Sequence, residues 1–315
     1  MKIVFMGTPD FAVPSLKALL EEKYDVVGVF CQPDRPKGRG HKLAACPVKE
    51  EAEKAGIPVF QPERIKSPEG VAMLKALEPD LCVTAAFGQL LSKEILDIPR
   101  FGTVNVHASL LPKHRGSAPV HYSILCGDEE TGVTTMMTDI GMDTGDILLR
   151  ASTKITDQDT AGTMTDKLAA LGAELLIETL SMLTAGTLER RRQDESRATY
   201  EPKLTRETGR IDWQKDAFSV DRLVRGTDPW PGAFTTLGGE TMKVFSVKKV
   251  ADQPSAEPGT VVSAERKTGL VVSCADGDLE LCEIQMPAQR RMSSRDYLLG
   301  HTIEKNIILG EIKDA

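Results

Sequence analysis

Apolar residues in the first half of the chain alternate between two habits. Short unbroken runs, "KIVFMG" from Lys2, "DVVGVFCQ" from Asp25 and "IPVFQP" from Ile57, are separated by stretches in which apolar positions recur every three or four residues. The first such stretch, "FAVPSLKALLEEK", puts Phe11, Leu16, Leu19 and Leu20 at helical spacing and confines Pro14 to the early turn. "PVKEEAEKAG" opens on a proline and closes on a glycine, the asymmetry of helix ends. "SPEGVAMLKALEP" starts from Ser67 with Pro68 in its first turn. Three further strands, "DLCVTAAFG", "GTVNVHAS" and "GVTTMMTD", are separated by "SKEILDIP" and "APVHYSILCG". This rhythm predicts an α/β fold with a doubly wound, mostly parallel sheet.

"TAGTMTDKLAALGAELLIETLSMLTAG" reads as one long amphipathic helix, with Thr160 or Thr163 as its cap. After Gly186 the pattern changes. "TLERRRQDESRATYEPKLTRETGRIDW" is charged and poor in large aliphatic residues, so 189–207 reads as an exposed linker. Beyond it come short alternating runs with hairpin signals at Gly238-Gly239 and Asp276-Gly277. The expected division is therefore 1–188 for the α/β domain, 189–207 for the linker and 208–315 for a small β-barrel domain.

Composition changes little in this picture. With 41% hydrophobic and 27% charged residues, the chain of 315 has the make-up of a globular protein. No apolar run was expected to reach the ~20 residues of a membrane span, and "MKIVFMGTPDF" is too short in its apolar part for a signal sequence, so a cytoplasmic protein is expected. The six cysteines show no paired spacing and read as reduced thiols, Cys82 as core. Charge adds more. The net charge is −7, yet Asp34 to Lys49, "DRPKGRGHKLAACPVK", is a basic loop on an acidic protein, with no comparable excess expected elsewhere. Residues 208–315 are slightly acidic, so any anion contact there needs a local face such as Lys243, Lys248 and Lys249, or Arg290, Arg291 and Arg295.

Candidate chemistry lies in "NVHASLLPKHRGSAP" and "GMDTGDIL". Asn105 and His107 alternate with Val104 and Val106, so they share one strand face, and Pro112 stops the strand ladder just beyond. An open sheet binds ligands at the carboxyl ends of its strands, where this pair falls. An amide N–H and an imidazolium can both donate to an oxyanion as a carbonyl becomes tetrahedral. A carboxylate nearby, Asp143, can support the imidazolium and relay a proton from an attacking amine. Equally, Asn105 and His107 could satisfy loop backbone and Asp143 could cap a turn; the pattern alone does not choose. No GxGxxG or GxxxxGK[ST] supports a dinucleotide or a P-loop. His107, His114 and His121 do not share a helix, because Pro112, Gly116 and Pro119 interrupt one, so no metal site is expected.

The segments "FMGTPDFAVPSL", "QPDRPKGRG", "NVHASLLPKHRGSAPV", "TGVTTMMTDIGMDTGDIL" and "DPWPGAF" together resemble the methionyl-tRNA formyltransferase family of folate-dependent formyltransferases, over essentially the whole chain. The resemblance implies transfer of a formyl group from 10-formyltetrahydrofolate to the α-amino group of methionyl initiator tRNA by a monomeric enzyme. It assigns catalysis to Asn105, His107 and Asp143, and folate contacts to Ser109, Leu110, Leu111 and Pro112. "AAFGQLL" follows the neighbouring strand, and Phe87 and Gly88 are expected in a second folate wall, Phe87 more by packing than by stacking. The basic loop then becomes a tRNA contact through Arg35, Lys37, Arg39 and Lys42, with Arg39 matching the family's arginine that enters the acceptor stem. An oligonucleotide-binding-type barrel is implied for the C-terminal domain, and "DPWPGAF" is expected to pack between helix and barrel. Formyltransferases acting on a sugar nucleotide or on glycinamide ribonucleotide share the Asn, His and Asp. A non-catalytic RNA-binding protein would have no use for them.

Overall fold

The computed structural model describes residues 1–37 and 42–310 and divides into two compact units. The first holds Met1–Pro119, Glu130–Lys154 and Met164–Pro202; the second holds Val120–Glu129, Ile155–Thr163 and the chain from Lys203 onward. Both chain breaks in the first unit are short excursions that the sequence pattern does not announce.

In the first unit the strands β1 (Lys2–Gly7), β2 (Asp25–Phe30), β5 (Val59–Phe60), β6 (Leu81–Ala85) and β7 (Thr103–His107) run parallel. Between β2 and β5 the chain inserts a hairpin of β3 (Arg35–Lys37) and β4 (Lys42–Ala44). Helices α1 (Val13–Glu21), α2 (Pro47–Lys54), α3 (Pro68–Ala76) and the short α4 (Lys93–Leu96) connect the strands. The predicted punctuation is present: α2 starts at Pro47, and the Ser67 Oγ accepts from the Gly70 N–H at 3.2 Å to cap α3. The pair β8 (Arg115–Gly116) and β11 (Tyr200–Glu201) forms a second, two-stranded sheet.

Two antiparallel strands complete the main sheet, β9 (Glu130–Met137) and β10 (Ile147–Lys154), in the order β10-β9-β7-β6-β1-β2-β5. Strand β10 was not anticipated. The chain winds from β1 to β2 and β5, then returns to β6 and β7, so the switch point lies between β1 and β6. Strand β7 is covered on both faces, which is why Val104 and Val106 are buried while His107, on the opposite face, is also only 6% exposed.

Helix α6 (Ala161–Ala185) is the long predicted helix. Thr160 caps it reciprocally: the Thr163 N–H donates to Thr160 Oγ1 at 3.3 Å and the Thr160 N–H to Thr163 Oγ1 at 2.9 Å. By length and composition alone it is apolar enough to cross a membrane, contrary to the expectation of no such run. Here its apolar side belongs to the sheet core: Thr179 bonds Thr135 at 2.8 Å, and Gly172 lies against Val106 and Val133. The cysteines are free, and burial pushes the Cys82 thiol up to about 12.

The second unit contains α5 (Pro119–Leu125) from Val120 on, and α7 (Ala217–Thr227), which packs on an antiparallel sheet. Its strands are β12 (Ala233–Leu237), β13 (Glu240–Ala251), β14 (Val261–Glu265), β15 (Gly269–Cys274) and β16 (Gly277–Gln285) in the order β12-β13-β16-β15-β14. Strand β17 (Met292–Ser293) adds to β16 and leads into α8 (Ser294–Tyr297). Both hairpin signals fall at strand turns. In "DPWPGAF" the expectation fails for the tryptophan: Trp230 is 57% exposed, and Phe234 is the aromatic that packs. Trp213 fills the core instead, its indole N–H bonded to Thr235.

A Cβ on Gly172 would stand 2.9 Å from Val106 Cγ1, directly behind the strand that carries Asn105 and His107. Gly172→Leu should overpack this helix–sheet contact by roughly 1–3 kcal/mol, more than the helix propensity gained. A lowered denaturant midpoint by circular dichroism checks it; an unchanged midpoint would show that α6 can move away freely.

Candidate active site

The strand β7 delivers Asn105 and His107 to the carboxyl edge of the sheet, as alternation requires. What each side chain offers there is set by its partner. Thr84, on the adjacent β6, donates its hydroxyl to Asn105 Oδ1 at 2.8 Å. With its oxygen occupied, Asn105 presents the Nδ2 amide as a donor. The His107 Nε2 lies 3.1 Å from the His114 carbonyl, which can only accept, so Nε2 carries a proton. The other nitrogen, Nδ1, faces Asp143 Oδ1 at 3.7 Å.

Asp143 is held asymmetrically. Its Oδ2 accepts from the Gly116 N–H at 2.8 Å, while Oδ1 is turned to His107. Although glycines stand on either side, Asp143 itself is left-handed, with φ 55°. Aspartate tolerates that region better than most residues. Gly145 serves close approach instead: a Cβ there would lie 1.8 Å from the Met137 carbonyl oxygen.

The segment "SLLP" is placed less simply. Ser109 is fully buried and donates to the Lys113 carbonyl at 2.6 Å; Leu111 packs with Met136 and Ile147. Thr134 ties the turn by donating to the Ser109 carbonyl and accepting from the Leu111 N–H. Pro112 is also buried in its side chain, and Leu110 alone of the four is half-buried. Phe87 packs in a core cluster with Val4, Met6 and Phe30, and its carbonyl accepts from Thr8 and Gln32. Gly88 has φ 80° and would bring an added Cβ no nearer than 3.6 Å, to Gln32 Nε2.

Within the basic loop β3 pairs with β4, and Arg39 lies outside the described residues. Arg35 is exposed, whereas Lys49 is taken up by Asp34 at 2.6 Å. Lys37 and Lys42 face each other in the strand register. The loop is not the sole basic surface. A cavity of about 710 Å³ beside Leu111 and Pro112 is lined by Arg150, Arg191, Arg192 and Arg197 as well as Glu189 and Asp194. Burial, then the charges of Arg197 and Arg191, hold the Arg150 guanidinium below its usual range. In the second unit several candidate cations are neutralised: Lys249 by Asp252 and Asp276, Arg291 by Glu283, Arg295 by Glu280.

Sequence reasoning missed the residues that support the site from 191–201. Arg115 is fully buried and all five of its N–H groups are used. Nε and Nη2 donate to Gln193 Oε1 at 3.1 and 2.8 Å, Nη2 and Nη1 to the two Glu195 oxygens at 2.8 and 2.9 Å, and Nη1 to the Tyr200 hydroxyl. Gln193 in turn donates its Nε2 to the carbonyls of Asp143 and Gly145 at 2.7 and 2.8 Å. The Arg115 charge holds the Glu195 carboxyl below its usual range.

Two family models match the chain: "Formyl transferase" over residues 1–180 and "Formyl transferase, C-terminal domain" over 203–302. The methionyl-tRNA formyltransferase of Acetivibrio thermocellus is 51% identical over 313 residues, 99% of this chain and 100% of that protein. That of Bacillus subtilis is 47% identical over 309 residues, covering 98% of each. The fold is shared with an N-formyltransferase from Helicobacter canadensis in complex with folinic acid and dTDP-3-aminofucose, with a TM-score of 0.67, 19% identity, and coverage of 93% of this chain and 100% of that one. HypX from Aquifex aeolicus in complex with tetrahydrofolic acid aligns at TM-score 0.62 and 18% identity over 95% of this chain and 47% of its own. The chain belongs to the formyl transferase family and, within it, to the methionyl-tRNA formyltransferases.

Orientation of the Asn105 amide rests on one hydroxyl. Thr84→Val keeps the shape and removes the donor, so the amide loses its fixed sense. A fall in kcat of roughly tenfold, the worth of about 1.4 kcal/mol, should appear with little change in KM for either substrate. Turnover equal to wild type would mean that Asn105 needs no such anchor.

Proposed function

We propose that the enzyme transfers the formyl group of 10-formyltetrahydrofolate to the α-amino group of methionyl initiator tRNA. The observation that carries the reading is the convergence of three groups of defined sense: an Asn105 amide turned outward by Thr84, a His107 Nδ1 left free by the His114 carbonyl, and an Asp143 Oδ1 at 3.7 Å from it. The names and extent of the relatives support the substrates.

The amine attacks the formyl carbon and a C–N bond forms. The carbonyl oxygen takes up the electron pair, and Asn105 Nδ2 with protonated His107 Nδ1 donate to it. Asp143 receives the proton lost by the amine, directly or through His107. The intermediate collapses by breaking the bond to N10 of the folate, which takes up as it leaves the proton that the amine gave to Asp143. The products are the N-formyl amide and tetrahydrofolate, with no covalent enzyme intermediate and no step that requires a metal. In this reading the "SLLP" turn, Ser109 to Pro112, contributes backbone and the Leu110 side chain to the folate, since the other side chains are turned inward. Gly88 offers backbone, and Phe87 supports it from the core.

Two surfaces suit an RNA acceptor. The hairpin with Arg35, Lys37, Arg39 and Lys42 supplies phosphate and base-edge contacts, and the arginine-lined cavity beside Pro112 adds a second cationic surface.

The direct assay supplies radiolabelled methionyl initiator tRNA and 10-formyltetrahydrofolate, with glycinamide ribonucleotide and an amino-sugar nucleotide as control acceptors. Formylation confined to the tRNA is the expected result; a preference for either small acceptor would reassign the substrate. Asn105→Ala and His107→Ala should each lower kcat by roughly two to four decades while folate and tRNA still bind. A variant with more than a third of wild-type turnover removes its residue from the scheme.

Arg39→Ala should cost roughly 1–3 kcal/mol in kcat/KM for methionyl-tRNA, with little recovered by Arg39→Lys, because only a guanidinium bonds bidentately to phosphate or guanine. Folate affinity, followed by fluorescence, should not change. Wild-type kcat/KM for Arg39→Ala at physiological salt would return the hairpin to plain solvated surface.

A further inference from the structure

The stretch 181–202 lies between the two family-model matches, and most of it falls in the segment 189–207 whose composition reads as a linker. Its contacts do not. We propose that Gln193, carried by buried Arg115, is a positioning residue that holds Asp143 in working geometry, so that this connecting stretch is part of the catalytic apparatus. The inference rests on the reading of Asp143 as the proton-relay carboxylate.

The geometry is directional. The Gln193 carboxamide uses its two ends for different tasks. Its oxygen accepts two N–H bonds from Arg115, and its Nε2 donates to the backbone carbonyls of Asp143 and Gly145. These carbonyls bracket the left-handed turn at Asp143, a conformation that relaxes unless its surroundings enforce it. The Asp143 carboxylate is held from the other side by the Gly116 N–H, and Gly116 follows Arg115 directly. One dipeptide therefore grips Asp143 twice, at its carboxylate through a backbone N–H and at its backbone through Arg115 and Gln193.

Arg115 can perform this task because it cannot move. Five bonds use all five of its donors, and the Thr199 carbonyl accepts from its backbone N–H at 2.9 Å. Strand pairing of Arg115 with Tyr200 and Gly116 with Glu201 fixes the register between the two stretches. A shift of one residue would turn Gln193 away from the Asp143 loop.

The test is Gln193→Glu, which is nearly isosteric. One carboxylate oxygen still accepts from Arg115, so the buried ion network keeps its partner. The other replaces Nε2 and sets an anionic acceptor against two carbonyl oxygens. We expect kcat to fall ten- to a hundredfold with KM for both substrates within threefold. The pH profile of kcat should change shape rather than only scale down. In an Asp143→Ala background, Gln193→Glu should have less than a twofold further effect, since there is then no carboxylate left to position.

Gln193→Ala, which removes both ends of the carboxamide, is the second variant and should show the same dependence on Asp143. A purely structural role would instead lower the active fraction in a folate-binding titration, leave turnover per active site and its pH profile as in wild type, and be felt equally with Asp143 absent. Either pattern overturns the proposal, as does kcat within threefold of wild type for Gln193→Glu while Asp143→Ala is inactive. An Asp143→Ala enzyme that keeps more than a third of its turnover would overturn the reading of Asp143 itself, and that result is distinguishable because it does not involve Gln193.

Discussion

A guanidinium with no exposed surface must find an acceptor for each of its N–H groups or not be there at all, because an unpaired buried charge costs several kcal/mol. Arg115 meets that demand with Gln193, Glu195 and Tyr200, all drawn from one stretch about 80 residues further along the chain. The demand is met in a single arrangement. Once it is, the turn from His114 to Gly116, the Asp143 loop and the segment 193–201 have fixed positions relative to one another, and His107 is bonded to the first of them. On the proposed reading, His107 and Asp143 are thus arranged by an interaction that takes no part in the chemistry.

Much of this was legible beforehand because it is local. Strand, helix and cap signals need only a few neighbours, and Ser67, Pro47 and Thr160 act where the pattern places them. Asn105 and His107 were readable for the same reason: period-two alternation and a terminating proline suffice to put them at a strand end. What failed to be legible is non-local. Nothing near Gln193 distinguishes it from the charged residues around it, since its role depends on Arg115 and on two carbonyls some 50 positions away. Asp143 was singled out from its motif, but nothing in the motif shows that the aspartate itself takes the left-handed backbone. The packing expected of "DPWPGAF" between helix and barrel does not hold for Trp230, because aromatic content, unlike periodicity, says nothing about which way a side chain faces.

Charge shows the same division. Counting residues finds the basic hairpin but not the cavity beside Pro112, because its arginines are interleaved with Glu189, Asp194 and Glu195 in sequence. Folding draws Glu195 away to Arg115 and brings in Arg150 from a distant strand, so four arginines line the cavity against Glu189 and Asp194. Conversely, Lys249, Arg291 and Arg295 look available in the sequence and are held by carboxylates. An acidic protein can present cationic surfaces to RNA when its acids are committed elsewhere.

The pairing of Tyr200 and Glu201 with Arg115 and Gly116 has a further consequence, for the way the protein is made. Synthesis delivers the whole seven-stranded sheet, together with Asn105, His107 and Asp143, before residue 193 exists. A nascent chain of that length holds those three residues but lacks the side-chain acceptors that Arg115 uses in the folded protein. Closing so long a loop is entropically slow and is rewarded only when the guanidinium is buried. The bonds from Gln193 to the Asp143 loop are therefore among the last that the growing chain can make, and a fragment that ends with helix α6 would have the strands of the main sheet but not those bonds.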